Sequence, residues 1–168
     1  LRENTEYVMH DFWDYKNYME LAAKWGFGKA KVITAIGMFY DLEDPNKFIA
    51  DAKNALTEDG VFVAQLMCLM PMLEKNDLGN ICHEHLEYYS LETLRYLFEK
   101  NGLEMFKIDE NNVNGGSYRI YARHYKGTGI LFDEKVTKQD ILDFGNRIQD
   151  NRDKCVAFIK EKVAKGKK

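Results

Sequence analysis

The stretch ICHEHLEYYS, residues 81–90, gathers two of the chain's four histidines with a glutamate, two tyrosines and a serine. Histidine titrates near neutral pH, and a neighbouring carboxylate can orient its ring and raise its basicity, so a His–Glu pair suits proton abstraction. Metal binding is the competing chemistry. His83 and His85 would share a face of an extended backbone, with Glu84 pointing the other way. H-x-H alone supplies no third ligand, it is not the H-E-x-x-H of a helical zinc site, and Cys82 has no C-x-x-C partner. No metal is therefore expected. A plainer reading has these side chains capping the following helix and satisfying one another. Buried unpaired they would be costly, and their concentration at the mouth of an expected site favours function.

Two further stretches carry chemistry. In NVNGGS (112–117), Gly115 and Gly116 would let the backbone approach a ligand while Asn114 and Ser117 offer directional hydrogen bonds; N-G and G-G also form plain hairpin turns, and both readings stay open. In HDFWDY, Asp11 and Phe12 could meet the edge of a nucleobase or serve as a helix cap beside a core aromatic. The G-x-G of WGFGKAKV precedes a strand instead of following one, so it is no phosphate loop.

The elements that must position these residues follow from periodicity. EYVMHDF (6–12) reads as a strand, and 14–26 as a helix capped by Asp14 with Tyr18, Leu21, Ala22 and Trp25 on one face. KVITAIGMFY (31–40) is a nearly continuous apolar run, the pattern of a strand covered on both faces. Asp44 and Pro45 open a second helix, TEDG (57–60) turns, and VFVAQLMCL (61–69) is another buried strand. Ser90 caps LETLRYLFEKNG; strands at 103–109 and 118–124 flank the glycine loop; a long helical pattern runs from Thr137 to about Lys165. The expected fold is α/β, a mostly parallel sheet ending in an antiparallel pair, followed by the long helix. Such sheets bind ligands beyond the carboxyl ends of their parallel strands.

The 168 residues, 45% hydrophobic and 30% charged, fit one globular domain, and a net charge of −3 offers no basic field for nucleic acid. No apolar run approaches the roughly 18 residues of a membrane span. Three scattered cysteines, Cys68, Cys82 and Cys155, suggest a reducing compartment, and the expected location is cytoplasmic. The chain opens LRENTEY without methionine and ends KGKK after a helical pattern, so it is expected to be a piece of a longer protein: residues 1–126 the latter part of one domain, residues 127–168 a linker and helix. Strands missing upstream would leave a sheet edge bare for self-association.

Residues 32–66, 80–104 and 112–122, with H-E-H-x-x-Y-Y-S and N-G-G-S in that order, resemble the latter half of S-adenosylmethionine-dependent C-methyltransferases that act on nucleotide-linked keto-deoxysugars. The resemblance implies a Rossmann-like class I methyltransferase sheet whose glycine-rich cofactor loop lies upstream, and a fragment inactive alone. It places Asp11 and Phe12 beside the adenine of S-adenosylmethionine, and Thr34, Ala35 and Ile36 under its methionine part. It makes Glu84 and His85 the catalytic pair, with His85 as base and Glu84 orienting it or holding a sugar hydroxyl. Tyr88, Tyr89, Asn114, Gly115, Gly116 and Ser117 would face the sugar. The family often has tyrosine where this chain has Cys82, a role Tyr88 or Tyr89 would have to fill. The alternatives are O- or N-methylation on the same fold, or a non-catalytic interaction module.

Overall fold

The computed structural model describes residues 7–167. Of the strand expected at 6–12, residues 7–12 form no ladder, and position 6 lies outside the described residues. Local side-chain bonds compete with pairing here: Asp11 Oδ1 accepts from the Phe12 N–H at 2.8 Å. Helix α1 (Tyr15–Lys24) then starts where Asp14 accepts from Lys16 N and Asn17 N at 2.9 and 3.2 Å.

The apolar run stays a strand only through β1 (Ala30–Ile36); its end folds into a 3-10 turn at Phe39–Asp41 that buries Phe39 and Tyr40. Helix α2 (Pro45–Ala55) opens on Asp44 as expected and leads without a loop into β2 (Leu56–Met67). The expected turn at 57–60 survives as an irregularity inside this pair: the register jumps from Ala30–Leu56 to Val32–Val61, and Thr57 Oγ1 donates to Asp59 at 2.9 Å. Next come α3 (Leu69–Lys75), which the periodicity did not suggest, and a 3-10 turn at Leu78–Asn80. Helix α4 (Leu91–Lys100) has the Ser90 cap, closed by Thr93 into a capping box. Strands β3 (Leu103–Asn111) and β4 (Ser117–His124) form the hairpin, and α5 (Lys138–Ala164) is the long helix, capped by Thr137.

The strand order is β1-β2-β4-β3. The fold is α/β as expected, but the sheet is mixed instead of mostly parallel: among the described residues β1–β2 is the parallel pair, while β2–β4 and β3–β4 are antiparallel. Because β4 returns between β2 and β3, Met67 at the end of β2 lies opposite Ser117 at the start of β4. Ile36 at the end of β1 pairs with Gln65. The glycine hairpin, the turn after β1 and the segment leaving β2 therefore meet at one edge of the sheet.

One face of the sheet is covered by α2 and α4. There Phe39, Phe62 and Phe98 are fully buried with ring centroids 5.8 to 6.5 Å apart, beside Ile49, Leu66, Leu94 and Ile120. The other face is open at β1, where Val32 and Ile36 are 60% and 52% exposed, so the expected two-sided cover is absent there among the described residues. The segment beyond residue 126 is tied back: Glu134 accepts from the Leu91 N–H and the Tyr118 hydroxyl at 2.9 and 2.7 Å. Phe144 packs on Met72 and Leu73, and Arg147 donates to Asn76 and to the Leu73 carbonyl. The far half of α5 is exposed, Phe158 and Ile159 included. No helix of the described residues is long and apolar enough to cross a membrane.

Candidate active site

His85 sits half-buried with Nδ1 2.8 Å from the Asn80 carbonyl oxygen. A carbonyl only accepts, so Nδ1 carries the proton and the neutral ring keeps its lone pair on Nε2. The Tyr88 hydroxyl donates to the same carbonyl at 3.3 Å. On the other side the Tyr40 ring lies against the imidazole, centroids 4.4 Å apart. The Tyr40 carbonyl accepts from Leu86 N and Glu87 N at 3.0 and 3.2 Å, and its hydroxyl donates to the Gly37 carbonyl at 3.0 Å. Tyr40 thus ties the end of β1 to the histidine turn. Burial, then the charges of Asp41 and Cys82, raise its pKa and keep that hydroxyl a donor. A narrow pocket opens here, lined by Tyr40, Met67, Cys68, Asn80, His85 and Tyr88.

The motif is a turn, not an extended strand: His85 N donates to the Cys82 carbonyl at 3.3 Å. In consequence Glu84 does not orient His85. Its carboxylate is 76% exposed and lies 4.0 Å from Nε2 of His83, itself 92% exposed. The orienting role expected of Glu84 falls to the Asn80 backbone. Tyr89 is also placed otherwise than expected. It is 7% exposed, its ring 5.6 Å from that of Phe39 in the core, its hydroxyl without a partner and its pKa pushed up by burial. Tyr88 lines the pocket, whereas its neighbour Tyr89 is buried in the core.

The hairpin meets this site through Asn80, which is 7% exposed. Its side-chain Nδ2 donates to Asp77 Oδ2 at 3.0 Å and to the Asn114 carbonyl at 3.5 Å. Asn114 is exposed, with φ at +50°. The two glycines make room for the protein itself and not for a ligand. At Gly115 a Cβ would lie 1.9 Å from Asp77 Oδ2; at Gly116 it would lie 2.8 Å from both Pro71 Cβ and Lys75 Nζ. Their φ values of +77° and +141° exclude most side chains in any case. Ser117 is 2% exposed and donates to the Val113 carbonyl at 2.7 Å, closing its own turn. Of the four hairpin residues expected to face a sugar, the structure leaves Asn114 available.

Of the residues expected to hold a cofactor, Phe12 has its ring 92% exposed, and Asp11 lines an open cavity of about 420 Å³ with Met9, Asn17, Leu21 and Lys24. Thr34 and Ile36 lie exposed on the outer face of β1, whereas Ala35, 3% exposed, points into the core as strand alternation requires. Asn80, Asp77 and Tyr40 were not singled out from the sequence. The N-D-L-G-N run carries a turn signal, but only the fold shows what its carbonyl faces.

Residues 2–108 match a family described as a methyltransferase domain. The C-methyltransferase NovU of Streptomyces niveus is 30% identical over 95 residues, which are 56% of this chain and 23% of NovU. The chain thus spans about a quarter of that curated relative's length. Among solved structures, LepI C52A in complex with SAH and a substrate analogue is similar at a TM-score of 0.48 and 12% identity, over 59% of this chain and 27% of that one. Magnesium protoporphyrin IX methyltransferase (ChlM) from Synechocystis PCC 6803 with bound SAH gives 0.45 and 10%, over 58% of this chain and 46% of that one.

Proposed function

The chain belongs to the methyltransferase-domain family, and from that premise we propose that it forms the acceptor side of a C-methyltransferase active site with His85 as the general base. The observation that supports this most directly is the 2.8 Å contact of His85 Nδ1 with the Asn80 carbonyl oxygen. Nδ1–H bound to the Asn80 carbonyl leaves Nε2 free to take a proton, and the same bond steadies the imidazolium that results. The carbon-acceptor reading also draws on the likeness to a protein named as a C-methyltransferase.

S-adenosylmethionine is the cofactor, and when bound it supplies an electrophilic methyl group. The residues present fit it. An exposed aromatic ring at Phe12 and the carboxylate of Asp11, beside an open cavity, suit stacking on and hydrogen bonding to an adenine, while Thr34 and Ile36 lie free along β1. The acceptor is a small molecule, and we take it to be a nucleotide-linked keto-sugar. Its ketone acidifies the neighbouring C–H; His85 Nε2 removes that proton and the electron pair passes to the ketone oxygen as an enolate. Tyr88, with its hydroxyl on the Asn80 carbonyl, and Asn114 border the acceptor. Glu84, exposed beside His83, is free to bind a sugar hydroxyl.

The test uses the full-length protein. Calorimetry should show it binding S-adenosylmethionine, and NMR of products made with a ¹³C-methyl donor and nucleotide-linked keto-sugars should show the label on carbon. A label on oxygen or nitrogen would assign the histidine to hydroxyl or amine deprotonation instead. Absence of cofactor binding would leave an interaction module.

A further inference from the structure

A carbonyl can fix a tautomer only if its own peptide is held, and here that peptide is the last of a short 3-10 turn, Leu78–Asn80. Both oxygens of Asp77 hold this turn: Oδ1 accepts from Gly79 N at 3.1 Å and Oδ2 from Asn80 Nδ2 at 3.0 Å. The carboxylate is in turn confined by the glycine hairpin. Oδ2 lies 1.9 Å from where a Cβ on Gly115 would be, so any side chain there would expel it. The Asn80 amide spans the gap, reaching the Asn114 carbonyl on the hairpin at 3.5 Å. The chain of contact therefore runs from hairpin to Asp77, from Asp77 to Asn80, and from the Asn80 carbonyl to Nδ1 of His85.

We propose that Asp77 is a positioning residue: with the Asn80 side chain it clamps the 78–80 turn so that the Asn80 carbonyl selects the Nδ1–H tautomer of His85 and leaves Nε2 as the basic nitrogen. The sequence motif at 112–117 then serves the histidine indirectly, by closing on the carboxylate that holds its orienter. The inference rests on the reading of His85 as a base, but its test does not need turnover. Asp77 never touches the acceptor in this account.

The test is the ¹⁵N tautomer signature of His85 in the full-length protein, by long-range ¹H–¹⁵N correlation, without cofactor or acceptor. The wild type should show protonated Nδ1 and unprotonated Nε2. Asp77→Ala should lose that signature and show a mixture of both neutral tautomers, while Asp77→Asn, which keeps one carbonyl acceptor for Asn80 Nδ2 but gives up the bond from Gly79 N, should restore most of it. Asn80→Ala removes the same clamp without touching the bond from Gly79 to Asp77, and should behave as Asp77→Ala does; it decides the question if Asp77→Ala does not fold. A wild type carrying its proton on Nε2, or a folded Asp77→Ala or Asn80→Ala that keeps the wild-type signature, would overturn the proposal. Wild-type turnover by His85→Asn in the full-length protein would instead remove the assigned function and leave the clamp standing.

Discussion

Which nitrogen of an imidazole is basic depends on what the other one touches, and for His85 that partner is a backbone oxygen. This explains why the sequence named Glu84 as the orienter of His85 when the structure puts the Asn80 carbonyl there. Glu84 advertises itself by adjacency, whereas a carbonyl leaves no mark in the residue type. Glu104 was likewise invisible. It is 1% exposed on β3; burial pushes its carboxyl up, but donation from Lys126 N, Arg123 and Thr128 outweighs this and holds it down to about 2. A carboxylate with a depressed folded pKa contributes stability that is fully present above the unfolded value near 4.5 and is lost as pH falls toward about 2. Denaturant unfolding between pH 5 and 2 should therefore, by linkage, show stability falling in this window with a component absent in Glu104→Gln. Identical pH slopes in both proteins would mean that the Arg123 and loop contacts do not hold in solution. Outright removal in Glu104→Ala should cost about 3 kcal/mol, since Arg123 and two N–H donors lose their acceptor.

At the scale of elements, capping residues were the most legible feature. Asp14, Asp44 and Ser90 start the helices that their side-chain chemistry requires, whereas the Thr137 cap shows only in the structure. Helix α3 was hidden because its apolar residues continue those of β2, so that VFVAQLMCLMPML shows no change of period. The glycine hairpin was found, yet its glycines were read as opening space for a ligand when they open it for α3 and Asp77. This reverses the expectation for mutation. Gly116→Val, forced into a φ of +141° against Pro71 and Lys75, should destabilise the fold by about 2 kcal/mol or more. In the full-length protein it should weaken cofactor and acceptor binding alike. Selective loss of acceptor binding with an unchanged melting curve would show that Gly116 faces the ligand after all.

Across the whole molecule, the parallel pair β1–β2 ends in an edge strand whose outer apolar side chains, Val32 and Ile36, stay exposed among the described residues. A bare strand edge pairs readily with another copy. We predict that this chain self-associates, with a sedimentation coefficient rising with concentration, and that Val32→Lys suppresses this by placing a charge on the outer face. A monomer at all concentrations would contradict it. The expectation that strand 31–40 is covered on both faces came from its apolar run; among the described residues the strand ends at Ile36 and its second face lies open at Val32 and Ile36.

The fold brings the end of β1, the histidine turn and the hairpin together at one end of the sheet, and the function we propose has His85 remove a proton from carbon there. The most direct measurement is exchange of the acceptor's α-proton with deuterated water by the full-length protein. Wild type should exchange it, His83→Asn should do so at nearly the same rate, and His85→Asn should fall by about 10²-fold or more while still binding cofactor. Exchange by His85→Asn at the wild-type rate would contradict the assignment of His85 as the base.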